Sequence, residues 1–345
     1  MSSLEPTIDS LEPTIDSLEP TIDNLSAGWV HDWDPFIFSI GDDIGLRWYG
    51  MAYLAGILAG LVLMRRWISQ RRLPLLPAWL SDAGLWIGMA MIVGARLGYC
   101  LFYDQSLLGF SARPPFWQVL MLWRGGMSSH GGAFGLFVGT LWYARRYRVN
   151  NWVIADAVGT VAPIGVICGR LANFINGELW GRVTEPFWAA VKFPAAFAQD
   201  LQLRLAAGEL HPEQANDLWQ TYDALPPYSP QMTAFIAEHG LWRHPSQLYA
   251  VGLEGLLVLM VALVVHARHR RPGLSLAAVI ITYGIGRMIS EGFRQPDEGY
   301  ELFFGWMSKG QALSVPMIVA GLALAVWTWR RGPRPQSYQP PAEAT

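Results

Sequence analysis

Long apolar runs alternate along the chain with short connections that are either rich in arginine or rich in Pro and Trp. The runs fall at 48–64, 83–102, 127–144, 152–172, 247–267, 274–292 and 311–329. Each approaches or reaches the roughly 17 to 25 residues that a helix needs to cross a hydrocarbon layer. Backbone surrounded by lipid has to satisfy its N–H and C=O groups within the segment, so runs of this length predict helices rather than strands. The pattern therefore predicts an all-α polytopic membrane protein with about seven transmembrane helices. An odd number of spans places the termini on opposite sides, and the basic residues decide which side is which. Arg65, Arg66, Arg71 and Arg72 follow the first run, Arg145, Arg146 and Arg148 the third, Arg268, Arg270 and Arg271 the fifth, and Arg330, Arg331 and Arg334 the seventh. Every second boundary is basic, which predicts that those boundaries are cytoplasmic. The N-terminus and the 103–126, 173–246 and 293–310 connections are then expected outside.

The polar segments divide the rest. Residues 1–27 repeat SLEPTID from Ser3, Ser10 and Ser17. A Pro in every unit and few apolar side chains predict a disordered tail with no chemical role. Residues 28–182 carry spans one to four. Within them the 103–126 connection holds Pro114, Pro115, Phe116, Trp117 and Trp123, a mixture suited to an arm lying in the membrane interface. Residues 183–243 read as an extracytoplasmic head, with amphipathic helices expected at Phe197–Ala207 and Pro212–Tyr222, followed by the turn-rich LPPYSP at 225–230. Spans five to seven occupy 244–331, and 332–345 is a cytoplasmic tail.

Composition agrees with lipid as the main solvent, since 52% of residues are hydrophobic and only 15% charged. The basic residues sit in short clusters at span ends, and no nucleic-acid partner is expected. The two cysteines, Cys100 and Cys168, lie inside apolar runs, which argues against a disulfide framework or a Cys-rich metal site. The acidic, polar start has no apolar core of a signal peptide, so the first span is expected to act as its own uncleaved signal.

Ionisable side chains inside spans point to function, because stranding one in hydrocarbon costs at least about 2.5–3.5 kcal/mol. Under the expected topology Tyr49, Arg96, His130, Arg170, Asn173, Glu254, Arg287 and Glu291 all fall towards the outer leaflet. Tyr283, Arg287, Glu291 and Arg294 follow one another at helical spacing on one face, as do Arg170, Asn173 and Gly177. Two Arg-bearing faces at one depth form a clamp for phosphate oxygens, and a phosphate in a leaflet is a phospholipid headgroup. His130, in GGMSSHGG, is the expected general base; glycines at a helix start expose amides suited to an anion. Without HExxH or paired carboxylates no metal is expected, and without GxSxG a serine hydrolase is not supported. A lipid carrier would need polar residues through both leaflets and repeat symmetry, and neither is found. The residues thus read as a lipid-handling enzyme.

The strings HGGAFG at 130–135, GRLANFINGELWGR at 169–182, RHPSQLY at 243–249 and GRMISEGFRQPD at 286–297 closely resemble the prolipoprotein diacylglyceryl transferase family, as do DPFIFSIG at 34–41 and the WYG of the first span. The resemblance runs in order from about Asp34 to Arg331. It implies transfer of the diacylglyceryl group of phosphatidylglycerol to the lipobox cysteine of prolipoprotein signal peptides, in the bacterial inner membrane, with the N-terminus outside and the C-terminus in the cytoplasm. It also implies no cofactor, and a monomer is expected. Carried over residue by residue, it assigns His130, Arg170, Arg287 and Tyr283 to catalysis, and Tyr49, Asn173, Glu178, Gly181 and Glu291 to substrate binding. Helical spacing adds Arg294. Ala172 stands where the family motif usually has Gly, the head is longer than the resemblance leads one to expect, and the SLEPTID tail is not a family feature.

Overall fold

In the computed structural model the described residues are 28–40, 44–70, 77–112, 116–121, 126–269, 271–296 and 307–332. The SLEPTID repeats and Arg71, Arg72, Pro114, Pro115, Trp123, Arg270 and Arg334 lie outside them. The chain forms two compact units: residues 33–181 with 246–345, and residues 1–32 with 182–245.

The larger unit is helical. Among the described residues six helices are long and apolar enough to cross a membrane: α1 (Trp48–Ser69), the Leu80–Phe102 part of α2 (Pro77–Phe102), α4 (Asn151–Ile175), the continuous helix Ser246–Arg268, α10 (Leu274–Phe293) and α11 (Lys309–Arg331). The chain is an all-α polytopic membrane protein. The expected span at 127–144 becomes α3 (Ser129–Arg146), of 18 residues. At 1.5 Å per residue that is about 27 Å of helix. Its glycines and its terminal Arg145 and Arg146 lower its apolarity, which sets it apart from the six. It packs along α2 through small residues, so closely that a Cβ on Gly135 would come 2.1 Å from the Ala90 carbonyl oxygen.

The faces of the helices record their surroundings. On α1, Leu54, Leu58 and Val62 are exposed at one-turn intervals, and on α10 Ile285, Ile289 and Phe293 are. An apolar stripe exposed in this way suits a lipid solvent. The opposite side of α10 carries Tyr283, Arg287 and Glu291. A buried core of Met64, Trp67, Leu80, Ile87, Tyr143, Ile154 and Ala157 joins α1 to α4 at the end marked by Arg66, Arg145 and Arg146 in the last turns of α1 and α3. A hairpin, β2 (Phe36–Ile40) against β3 (Ile44–Arg47), precedes α1.

The smaller unit pairs β1 (Trp29–Val30) in parallel with β4 (Val191–Lys192). It holds α5 (Phe197–Ala206), α6 (Pro212–Ala224) and α7 (Pro230–His239). The first two lie where amphipathic periodicity placed them. The third follows LPPYSP, where Ser229 caps the helix and Pro230 opens it. Phe197, Leu201, Ala215, Met232 and Ile236 form its core. Arg243 and Asp200, 0% and 1% exposed, form a buried ion pair, and Asp200 also accepts the Leu241 amide. Burial pushes the Asp200 carboxyl up, and the Arg243 guanidinium opposes the shift.

Candidate functional site

Three helices bring the site together, and local backbone irregularities set its geometry. The helix that begins with α8 (Ser246–Ala250) passes through a π-helical turn, Val251–Leu256, before continuing as α9 (Leu257–Arg268). Such turns rotate side chains out of the ordinary register and recur at functional sites. Here the turn holds Glu254 between α4 and α10. Glycines make the approach possible: a Cβ on Gly255 would stand 2.4 Å from Ile167, and one on Gly286 would stand 2.5 Å from the Leu253 carbonyl oxygen.

Glu254 is 1% exposed and serves as the hub. Its Oε2 accepts from Arg170 Nη2 at 2.8 Å and from Arg287 Nη1 at 3.5 Å, and its Oε1 accepts from the Ser290 hydroxyl. Arg287 turns its Nη2 to Glu291, 3.3 Å away and one turn further along α10. Gly310, in the first turn of α11, leaves room for that carboxylate, because an added Cβ would come within 2.8 Å of both its oxygens. The guanidinium-bearing side chains of Arg170 and Arg287 keep 16% and 21% exposure. The carboxylate of Glu254 therefore lies sealed beneath two guanidiniums that remain open to a ligand. They line a narrow cleft together with Leu179, Gln247, Glu291 and Arg294. Three guanidiniums facing two carboxylates give the cleft a net positive lining, suited to an anion.

The second cluster follows from how α4 ends. Gly177 takes φ +64°, its amide bonds to the Phe174 carbonyl and the Glu178 amide to the Asn173 carbonyl. This is a Schellman ending, in which a left-handed glycine lets the chain reverse. It folds Glu178 back towards Asn173, whose Nδ2 donates to the Tyr49 hydroxyl at 2.9 Å and to Glu178 Oε2 at 3.5 Å. Asn176 donates to the other Glu178 oxygen at 3.2 Å. The next residue, Leu179, also has positive φ, 57°, which costs a non-glycine residue about 1–2 kcal/mol. The turn is pinned from outside: Ser246 donates to the Leu179 carbonyl, Gln247 to the Glu178 carbonyl, the Gln295 amide to Trp180, and Gly181 bridges to Arg294.

The structure thus joins Arg170, Arg287 and Glu291 in one ion cluster, and Tyr49, Asn173 and Glu178 in a hydrogen-bonded group anchored on the same helix end. Tyr283 stands one turn from Arg287, close enough to feel the charges of Arg170, Arg287 and Glu254. Gly181 and Arg294 close the pinned turn. His130 is in neither cluster. It is exposed in the first turn of α3, and among the described residues its side chain has no hydrogen bond or ion pair.

Two expectations change. The glycines beside His130 pack helix on helix instead of presenting amides: a Cβ on Gly131 would lie 2.3 Å from the Gly94 carbonyl oxygen, and the Gly131 amide is already bonded to the Ser128 hydroxyl. Arg96 does not join the site. It is 3% exposed and donates to the carbonyls of Val119, Met121 and Gly126, at 2.8, 3.1 and 2.9 Å, which ties the connection after α2 back onto that helix. Glu254, Ser290 and Gln247 are the side chains that sequence reasoning left out of the binding set. Glu254 was visible as an ionisable residue in a span; the other two carried no such signal.

Comparison with known proteins decides the family. Residues 35–327 match the prolipoprotein diacylglyceryl transferase family. The chain belongs to that family. The phosphatidylglycerol–prolipoprotein diacylglyceryl transferase of Serratia proteamaculans (strain 568) is 40% identical over 309 residues, covering 88% of this chain and 96% of the relative. The enzyme of the same name from Cronobacter sakazakii (strain ATCC BAA-894) is 38% identical over 321 residues, covering 90% and 99%. That of Bdellovibrio bacteriovorus (strain ATCC 15356 / DSM 50701 / NCIMB 9529 / HD100) is 36% identical over 348 residues, covering 88% and 97%. As a diacylglyceryl transferase the chain keeps both clusters within the matched stretch. Ala172, in place of the motif's usual Gly, is buried inside α4, where helical φ accommodates a methyl group.

Proposed function

We propose that this chain transfers the diacylglyceryl group from phosphatidylglycerol to the thiol of the lipobox cysteine in prolipoproteins, the first step of bacterial lipoprotein maturation. The carbon–oxygen bond to phosphate breaks, the carbon–sulfur bond forms, and the products are a thioether and glycerol phosphate. The observation that carries this reading is the pair of guanidiniums, Arg170 and Arg287, seated on a sealed carboxylate inside spanning helices. A phospholipid moving within the leaflet brings its phosphate to that depth without leaving the bilayer.

In this mechanism Arg170 and Arg287 hold the phosphate, and Asn173 with Tyr49 orients the glycerol oxygens near it. Glu178 and Glu291 orient the donors around them. A free thiol near pKa 8.5 is only a few per cent ionised at neutral pH, so a proton acceptor is required, and His130 fills that role. The thiolate attacks the glycerol carbon, and the charge that develops on the departing phosphate meets preorganised donors in a site shielded from bulk water. The basic last turns of α1, α3, α9 and α11 support the reading that those ends face the cytoplasm. The clusters then lie in the outer leaflet of the inner membrane, with the N-terminus outside and the C-terminus inside. The enzyme works as a monomer on a membrane lipid and a secreted signal peptide.

The test is to incubate the purified protein in detergent with phosphatidylglycerol and a synthetic lipobox peptide. A mass gain equal to one diacylglyceryl group on the cysteine is expected. Consumption of the lipid with the peptide unmodified would overturn the reading.

A further inference from the structure

The cleft contains one buried polar atom that the transfer chemistry above does not use. Gln247, in the first turn of α8, is 2% exposed. Its Nε2 donates to the Glu178 carbonyl, while its Oε1, sealed from solvent, has no partner among the described residues. Exchanging the two amide atoms does not relieve this, because it would turn Oε1 against another acceptor, the Glu178 carbonyl. The amide is therefore held in one orientation by the pinned turn at the end of α4, with its oxygen left over. Its side chain lines the same cleft as Arg170, Glu254 and Arg287. A buried acceptor without a donor costs about as much as a lost hydrogen bond, and such atoms call for an explanation.

We infer that Gln247 reads the headgroup of the lipid: its unpartnered Oε1, carried by a side chain that lines the cleft with Arg170 and Arg287, accepts a hydrogen bond from a hydroxyl of the glycerol that leaves with the phosphate. This rests on the proposed diacylglyceryl transfer. The chemistry of the lipid restricts the choice. The phosphate and ester oxygens of phosphatidylglycerol only accept, and its only donors are the two headgroup hydroxyls. Those hydroxyls lie a few bonds from the phosphate, within reach of an acceptor beside the clamp. An ethanolamine headgroup also carries a donor, but it would bring an ammonium into a cleft lined by Arg170, Arg287 and Arg294. Gln247 thus favours a neutral hydroxyl over a cation, and over a headgroup with no donor.

The experiment measures kcat/KM for peptide lipidation with two lipids, phosphatidylglycerol and phosphatidyl-n-propanol, which has the same headgroup skeleton without the hydroxyls. The wild type should prefer phosphatidylglycerol by about tenfold or more, since a site built to bond a hydroxyl rejects the analogue that lacks it. Gln247→Met keeps the length and removes the amide, and it should bring the ratio close to one. Any loss from freeing the Glu178 carbonyl falls on both lipids and cancels in the ratio. Gln247→Glu keeps acceptor oxygens and loses the donor to Glu178. It should lower both rates and retain the preference, and loss of the preference in it counts against the inference; if the Met protein fails to fold, Gln247→Leu, which likewise lacks the acceptor, is read in its place. A wild type that does not distinguish the lipids, or a ratio unchanged in Gln247→Met, overturns the inference and leaves diacylglyceryl transfer standing. A wild type that lipidates the peptide with neither lipid overturns both.

Discussion

Glu254→Gln separates a carboxylate that positions the clamp from one that merely fills space. The substitution preserves shape and hydrogen bonding. The Gln oxygen can still face Arg170, and its NH₂ can donate to the Ser290 hydroxyl, which accepts as readily as it donates. What is lost is the negative charge beneath two guanidiniums. Removing one partner of a fully buried ion pair costs about 3–5 kcal/mol. Arg170 and Arg287 keep 16% and 21% side-chain exposure, so water and headgroups compensate part of that. The expected loss of stability is then about 2–3 kcal/mol, read as faster thermal inactivation in detergent. Activity should suffer more specifically, because a guanidinium displaced by about 1 Å from its productive position costs on the order of 10²-fold. That corresponds to about 2.7 kcal/mol of transition-state stabilisation. The affinity of the clamp for phosphate should not fall, since the variant cleft is more positive. Initial rates of lipidation at varied phosphatidylglycerol mole fraction should therefore show a low kcat with KM unchanged or reduced. A wild-type kcat, or a raised KM with kcat intact, would refute the positioning role of Glu254.

Arg170→Lys retains the charge beside Glu254 but not the planar fork, and peptide lipidation should fall about ten- to a hundredfold, or roughly 1.4–2.8 kcal/mol at 1.36 kcal/mol per decade; wild-type rates would sink the bidentate clamp. His130→Ala should leave lipid binding nearly unchanged and lower turnover about 10²–10⁴-fold, and retained turnover would pass the proton to another group. A reporter active only in the cytoplasm should work when fused after Arg334 and be silent when inserted near Gly208; the reverse result would move the site to the inner leaflet. Burial depresses the pKa of His244 below its ordinary 6.5, so the stability this neutral side chain contributes is complete above pH 6.5 and is lost as pH falls through the lowered value. Protection factors against hydrogen exchange in residues 182–245, taken relative to the intrinsic rate at each pH, should therefore fall on acidification in the wild type and less so in His244→Gln, and an equal fall would exclude His244 as the cause.

Most helices were legible because apolar run length and caps are local properties. The run at 274–292 became Leu274–Phe293, and that at 152–172 became Asn151–Ile175, opened by the Asn150 side chain. Depth along a helix was legible too, which is why Arg170, Arg287 and Glu291 were found together. Direction around a helix was not. Arg96 lies in a span like the others, yet it is spent on carbonyls of the arm between Val119 and Gly126, and no pattern in a single sequence announces that an arm will fold back onto it. The same limit hid Gln247 and Ser290, whose importance arises from partners on other helices. The π-helical turn that aims Glu254 depends on Gly255 and Gly286 letting α4 and α10 approach, which is a tertiary cause. In the head, Ser229 and Pro230 were readable as a helix start, but the turn residues before them obscured α7.

The charge balance of the cleft follows from what the proposed reaction does to charge. A lipid phosphodiester carries one negative charge and the attacking thiolate another. After transfer the thioether is neutral, and the departing glycerol phosphate, a monoester whose second pKa is near 6, holds nearly both. Negative charge thus moves from sulfur to phosphate as the bond breaks. A clamp of arginines alone would bind the diester tightly before reaction, and binding realised equally in ground and transition states does not raise kcat. Glu254 beneath the guanidiniums and Glu291 beside Arg287 weaken that initial grip, while leaving donors aimed at oxygens whose charge grows. The carboxylates therefore shift the attraction of the site from the lipid that arrives towards the phosphate that leaves. That is the direction in which binding energy lowers a barrier.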